Sequence, residues 1–190
     1  MPIDPFALKG MFETLAGDIE ESLKLAEASG DSPFARRTYV RSFFAAVEGW
    51  FNIIATILLL EPILHRVPLT SGEVAVLSDE SYEVDEKGAV LARSARFVPL
   101  YRRVRLAFAL TARTSGSDYV LDVSGRGWKA FRHAIEIRNR LMHPKSIDDL
   151  AVTDVEMKTI LEAQLWFQHT TIALNDSSWG ALGGAPNYGA

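Results

Sequence analysis

Apolar residues recur at helical spacing over most of the chain, and capping residues and helix breakers divide the pattern into separate elements. The predicted main helices run from Asp4-Pro5 to Ser29-Gly30, from Pro33 to about Leu64 with Pro62 as a kink or stop, from Pro99 to about Gly116, from about Trp128 to Met142, and from Thr153 to about Asn175. The predicted fold class is therefore all-α, an up-and-down bundle of four to five main helices.

The second predicted helix is apolar on nearly every side from Phe43 onward, which is typical of the central helix of a bundle. The run is long enough to span a membrane, but Glu48 and Asn52 lie inside it, and a charge within a span is costly. A buried helix is the preferred interpretation, with no membrane partner. Glu48, Asn52 and Thr56 follow i, i+4, i+8, with Arg41 nearly in line, which fits either a narrow solvent-facing stripe or a polar seam facing a cleft.

Residues from about 67 to 98 depart from the helical pattern and are interpreted as an insertion between the second and third main helices. Ser71–Leu77 is compatible with a short helix, and residues 82–91 predict two short strands around a glycine turn. Arginines follow closely, and they indicate either solvated surface or a contact with a phosphate backbone. They are Arg93, Arg96, Arg102, Arg103 and Arg105.

The chain has 190 residues, enough for one domain with a sizeable core, so residues 1–178 are predicted to form a single domain. The glycine-rich segment 179–190 is predicted to be a flexible C-terminal tail. A net charge of -4 argues against unspecific coating of nucleic acid, so any such site is a local patch. The first residues lack the basic and apolar regions of a signal peptide, and we expect a cytoplasmic protein.

Several familiar kinds of site are missing from the sequence. The chain has no cysteine, which excludes disulfides, thiolate zinc sites and cysteine nucleophiles. Its four histidines form no His-Glu-x-x-His pattern, and it has no phosphate-binding loop and no Gly-x-Ser-x-Gly elbow. No metal and no cofactor is therefore expected.

One arginine breaks the pattern of the helix predicted over residues 128–142. On a helical wheel Asn139 and His143 share a polar arc with Arg132, whereas Arg138 falls in the middle of the apolar arc. A guanidinium stays charged at any ordinary pH, so it needs a partner there. We expect either another helix of the same chain or a second copy of the chain to cover it.

The segment Arg138-Asn139-Arg140-Leu141-Met142-His143, at the end of a late helix, resembles the signature of the HEPN superfamily (higher eukaryotes and prokaryotes nucleotide-binding). That signature is an arginine followed by a polar residue, with a histidine four to six positions after the arginine. The surroundings are similar too, since a long apolar helix carrying an acidic residue, Glu48, precedes the motif. The likeness covers most of residues 4–178, but not the insertion.

The resemblance implies a metal-independent endoribonuclease of the toxin or phage-defence kind, with its site formed across a homodimer. The implied catalytic residues are Arg138, Asn139, His143 and Glu48, where His143 moves protons, Arg138 holds the scissile phosphate and Glu48 orients Arg138. Attack by the ribose 2′-hydroxyl would leave a 2′,3′-cyclic phosphate, so DNA should not be cut. The cations predicted to bind RNA are Arg132, Arg140, Lys145 and Arg41.

Two other interpretations stay open. In the first, Arg138 and Glu48 form an ion pair that only sets helix register, and His143 caps the helix. In the second, the chain is a non-catalytic HEPN module that binds nucleotides or protein. An antitoxin or a nucleotidyltransferase is a candidate partner. Some family members are adenylylated on a tyrosine two residues after the histidine, but here that residue is Lys145.

Overall fold

The computed structural model describes residues 5–29, 32–60, 66–84, 90–94 and 98–183 of the chain. This part is mostly helical, which confirms the predicted all-α class. The helices are α1 (Pro5–Ala28), α2 (Pro33–Leu60), α3 (Ser71–Leu77), α4 (Leu100–Ser115), α5 (Arg126–Met142) and α6 (Asp154–Ala181). Two strands, β1 (Glu80–Val84) and β2 (Val90–Ser94), lie between α3 and α4, and a 3-10 turn spans Asp148–Leu150.

Local capping chemistry accounts for the end of α4 and the beginning of α6. Helix α4 ends at Gly116, whose φ of 75° is the left-handed conformation that glycine adopts without strain. Helix α6 begins after Thr153, whose hydroxyl accepts from the Glu156 N–H at 3.2 Å while the Glu156 carboxylate accepts from the Thr153 N–H at 2.8 Å. Both ends are where the sequence predicted them. The predicted features at Asp4, Gly30 and Pro62 lie outside the described residues.

Two boundaries differ from the prediction. Helix α2 is described to Leu60, and its predicted end near residue 64 lies outside the described residues. Helix α5 starts at Arg126, before the predicted Trp128, and α6 runs through Ala181, beyond the predicted end near Asn175. The first residues of the predicted tail, 179–181, are therefore helical, and residues 184–190 lie outside the described part.

The segment between α3 and α4 contains an antiparallel pair of strands. Tyr82 of β1 lies opposite Ala92 of β2, and the pairing runs from Glu80 with Ser94 to Val84 with Val90. The predicted glycine turn at residues 85–89 lies outside the described residues. A capping box precedes the strands, because the Thr70 hydroxyl accepts from the Glu73 N–H and the Glu73 carboxylate accepts from the Thr70 N–H.

The described residues fall into two compact units. The first unit lies within Asp4–Phe51 and Leu121–Ala173, and the second within Asn52–Val120 and Leu174–Ala190. By length and composition α2 is one helix that could cross a membrane, and half of its most apolar stretch is buried.

Aromatic side chains form the core of the first unit. The ring of Phe131 on α5 is stacked with that of Phe167 on α6 at a centroid distance of 5.9 Å, and Trp50 of α2 meets Phe167 edge-on at 5.4 Å. Gly127 allows α5 to approach α6 closely, because a Cβ at this position would overlap the Trp166 ring. The buried helix faces therefore fix the position of α5 within this unit.

In the second unit, polar contacts hold the short elements to α4. The Arg113 guanidinium donates to the Glu73 carboxylate at 2.6 Å, and this contact lowers the pKa of Glu73 from 4.5 to about 2. The Arg66 N–H donates to the Thr114 carbonyl at 2.6 Å, and the Ser117 and Ser177 hydroxyls share a hydrogen bond of 2.6 Å. These bonds join α3 and the residues before it to α4, and the end of α6 to the residues that follow α4.

Candidate functional site

Helix α2 of the same chain covers Arg138, the arginine that interrupts the apolar arc of α5. The Nη2 atom of Arg138 lies 2.5 Å from Oε1 of Glu48, within the first unit. The Arg138 side chain is 22% exposed and that of Glu48 is 42% exposed, so the pair is only partly screened by water. The pair expected from the sequence is present, and it needs no second copy of the chain to form.

Asn139 extends this pair toward the surface. Its side-chain oxygen accepts a hydrogen bond of 3.1 Å from Nη1 of Arg138, and its own side chain is exposed. A guanidinium has five N–H donors in a fixed plane, and two of them are used by Glu48 and Asn139. The plane of Arg138 is therefore set from two sides, while donors remain for an anionic ligand.

A shallow depression of about 310 Å³ opens beside the pair. Buried Phe44 and Leu141 contribute apolar surface to it, and exposed Arg41 contributes a second guanidinium. Ala45 and Met142 also line it, together with Glu48 and Arg138. Two arginines and one glutamate give the lining a formal charge of +1, which favours an anion such as a phosphate group.

His143 lies at the end of α5, immediately after its last residue. Its backbone N–H donates to the Asn139 carbonyl at 3.0 Å, and its φ of -131° and ψ of 58° take it out of helical geometry, as expected of a residue before proline. The side chain is exposed, and it is not part of the lining of the depression. The structure therefore places His143 one helical turn after Asn139, with a side chain accessible to solvent.

Arg140 is engaged by the connection between α5 and α6. Its Nη1 atom donates to the carbonyls of Asp148, Asp149 and Ala151 at 3.2, 3.1 and 2.9 Å. Its Nη2 atom lies 2.7 Å from Oε1 of Glu156, the capping residue of α6. These contacts point the guanidinium along the loop, so its predicted role in RNA binding stays a prediction and its visible role is to order the loop.

Asp149 orders the residues that follow His143. Its Oδ2 atom accepts from the backbone N–H groups of Lys145 and Ser146 at 2.7 and 2.9 Å, and the bond from Lys145 is the main cause of its lowered pKa. The sequence interpretation missed Asp149, and it did not predict that Glu156, which caps α6, also binds Arg140. The spacing Ser146-x-x-Asp149 was an available signal, because the Ser146 hydroxyl accepts from the Asp149 N–H as in a capping box.

Of the remaining predicted RNA-binding residues, Arg41 is among those that line the depression and the other two are not. Arg41 lines the depression with Glu48 and Arg138, whereas Arg132 is exposed on α5 and Lys145 is exposed in the loop after His143. The structure thus brings together Arg138, Glu48, Asn139 and Arg41. Comparison of the chain with protein-family models, curated proteins and solved structures gives no match.

Proposed function

We propose that this protein is a metal-independent endoribonuclease of the HEPN type, related to toxins or phage defence and acting in the cytoplasm as a homodimer. The observation that carries the proposal is the Arg138–Glu48 pair of 2.5 Å, with Asn139 bound to the same guanidinium and His143 following at the helix end. A structural ion pair would not need a further polar residue and an accessible histidine at the same helix end.

The chemistry of these residues fits cleavage of RNA by its own 2′-hydroxyl. His143 takes the proton of the 2′-hydroxyl or gives a proton to the departing 5′-oxygen, which are the two proton transfers of the reaction. The 2′-oxygen bonds to phosphorus as the bond to the 5′-oxygen breaks, leaving a 2′,3′-cyclic phosphate and a 5′-hydroxyl. Arg138 stabilises the added negative charge on the phosphate, and Glu48 and Asn139 hold its plane.

A homodimer would supply the two proton transfers with two histidines. One protomer brings a single histidine to the motif, and the other three histidines, His65, His133 and His169, lie elsewhere in the sequence. Asn139, Met142 and His143 are all exposed, so this end of α5 is accessible to a second copy. One histidine acting as base and the partner's acting as acid would complete the site.

The test is cleavage of mixed cellular RNA by the purified protein in EDTA. We expect wild-type cleavage to persist, and to fall by about 100-fold or more in His143→Ala and in Arg138→Ala, because general acid-base catalysis and charge stabilisation each contribute about that much. Lys129→Ala is the matched control, since Lys129 is exposed on the same helix but outside the motif. A DNA copy of the same sequences should stay intact.

Two results would refute the proposed ribonuclease activity. One is a wild-type protein that cuts no RNA, and the other is cleavage that His143→Ala and Lys129→Ala leave equally strong. Mapping the 3′ ends gives a third check, because any product other than a cyclic phosphate or its hydrolysis product is incompatible with 2′-hydroxyl attack.

A non-catalytic HEPN module that binds nucleotides or protein is the second candidate function. It is favoured by the fact that Glu48 already balances the charge of Arg138 within the chain, as in an ion pair that serves helix register. In that case Arg138→Ala should dissociate a dimer in sedimentation while no variant and no wild type cuts RNA. An antitoxin or a nucleotidyltransferase is then the partner to seek in pull-down experiments.

A further inference from the structure

The second unit contains an apolar cavity of about 190 Å³, formed by its parts of α2, α4 and α6. Its walls include Ile54, Ile57 and Leu58 of α2 and Trp179 near the end of α6. Trp179 is 58% exposed, so the cavity reaches the surface at this side chain. A cavity of roughly 150 Å³ with walls of this kind can hold benzene, so this one has room for a slightly larger ring.

Two hydroxyl groups in the cavity wall lack a hydrogen-bond partner. They are Oγ1 of Thr111 and Oγ of Ser178, both fully buried atoms, and Ser178 as a residue is 7% exposed. This statement holds for the described residues around them. A buried hydroxyl without a partner costs roughly 1–3 kcal/mol, so such groups are rarely left unmatched in a folded protein.

Neighbouring hydroxyls on the same wall are satisfied within their helix. The Thr114 and Ser115 hydroxyls donate to the carbonyls of Leu110 and Thr111, each at 2.8 Å. Helix α4 therefore offers carbonyl acceptors to its threonine and serine side chains, but the Thr111 hydroxyl has none. The two hydroxyls without a hydrogen-bond partner, on α4 and α6, are therefore a feature of this cavity and not of helical hydroxyl groups in general.

We propose that this cavity binds a small neutral molecule with an apolar ring and one hydroxyl group, such as a simple phenol. A hydroxyl both donates and accepts, so it can bond to the unmatched hydroxyl of Thr111 or of Ser178, while the ring fills the space beside Ile54 and Leu58. None of the residues lining the cavity in the described part carries a charge. A carboxylate or phosphate would lose its hydration there without an ionic partner, which excludes charged ligands.

The experiment compares p-cresol with toluene, which has the same ring and methyl group but no hydroxyl. Amide NMR shifts of the full chain are followed as each probe is added. We expect saturable shifts at the residues of the cavity, and binding of p-cresol about fivefold tighter than toluene, the factor given by one net hydrogen bond of about 1 kcal/mol. The Thr111→Val/Ser178→Ala variant removes both hydroxyls at nearly constant shape and should abolish this preference.

Ser177→Ala is the control, because Ser177 precedes Ser178 but its hydroxyl is bound to Ser117 and does not line the cavity. It should keep the full preference for p-cresol. The proposal is overturned if p-cresol gives no saturable shift, if toluene binds as tightly as p-cresol to wild type, or if the double variant keeps the preference. Water held by the two hydroxyls would produce the first of these results.

Discussion

At the scale of single residues, the misfit of Arg138 on the helical wheel was the most informative signal in the sequence. It predicted a charged partner, and Glu48, the misfit of another helix, is that partner at 2.5 Å. The contacts of Arg140 were not predictable in this way. Three of its acceptors are backbone carbonyls. Every residue has a backbone carbonyl, so the amino-acid sequence does not indicate which of them an arginine will bind.

The strength of the Arg138–Glu48 pair can be measured by a double-mutant cycle with Arg138→Met and Glu48→Gln. Both side chains are partly exposed, so we expect a coupling energy of about 1 kcal/mol, between a surface pair and a buried one. Urea unfolding of the four proteins gives this value. Single changes whose effects simply add, within about 0.3 kcal/mol, would show that the contact contributes nothing to stability.

At the scale of elements, helix existence was easier to predict than helix packing. Capping residues such as Thr153, Glu156 and Gly116 announce helix ends through local chemistry, and those ends are confirmed. The fit of α5 against α6 depends on Gly127, which meets Trp166 across a long stretch of sequence. No local pattern distinguishes such a glycine from one that merely precedes a helix.

Replacing Gly127 by alanine should destabilise the protein, although alanine usually favours a helix. The new methyl group would overlap the Trp166 ring, so we expect a loss of about 1–3 kcal/mol in the free energy of unfolding. Gly10→Ala is the matched change on α1, where a Cβ meets nothing within 4 Å, and it should gain about 0.5–1 kcal/mol. Denaturant unfolding of both variants would contradict this account if their effects had the same sign.

At the scale of the whole molecule, each of the two units is assembled from segments that are distant in sequence. The first unit joins residues before 51 with residues after 121, and the second joins the central stretch with the end of the chain. Composition changes little at these borders, and two of them fall inside α2 and α6. The predicted single domain over residues 1–178 could not have anticipated this division from the pattern alone.

The contact between Glu73 and Arg113 should make the free energy of unfolding depend on pH in the acidic range. The folded pKa of Glu73, about 2, lies below the ordinary value of 4.5, so its contribution is complete above pH 4.5 and is lost as the pH falls toward 2. We expect Glu73→Gln to lower the thermal midpoint at pH 7 and to flatten its fall between pH 4.5 and 2. Glu27→Gln, at an exposed position of α1, should leave both unchanged. Parallel curves for wild type and Glu73→Gln below pH 4.5 would refute this.

The loop between α5 and α6 is closed into a ring, because the Arg140 side chain makes four non-covalent contacts with residues that follow it in the chain. One guanidinium holds the carbonyls of residues 148, 149 and 151 and the first turn of α6, so the ring includes every residue between His143 and Glu156. Cutting the peptide chain between Lys145 and Asp148 would leave the segment that begins at Asp148 bound to the Arg140 side chain, which α5 carries. The ring therefore permits a break in the backbone here, but not extra residues, since each of its acceptors is fixed by the length of the loop.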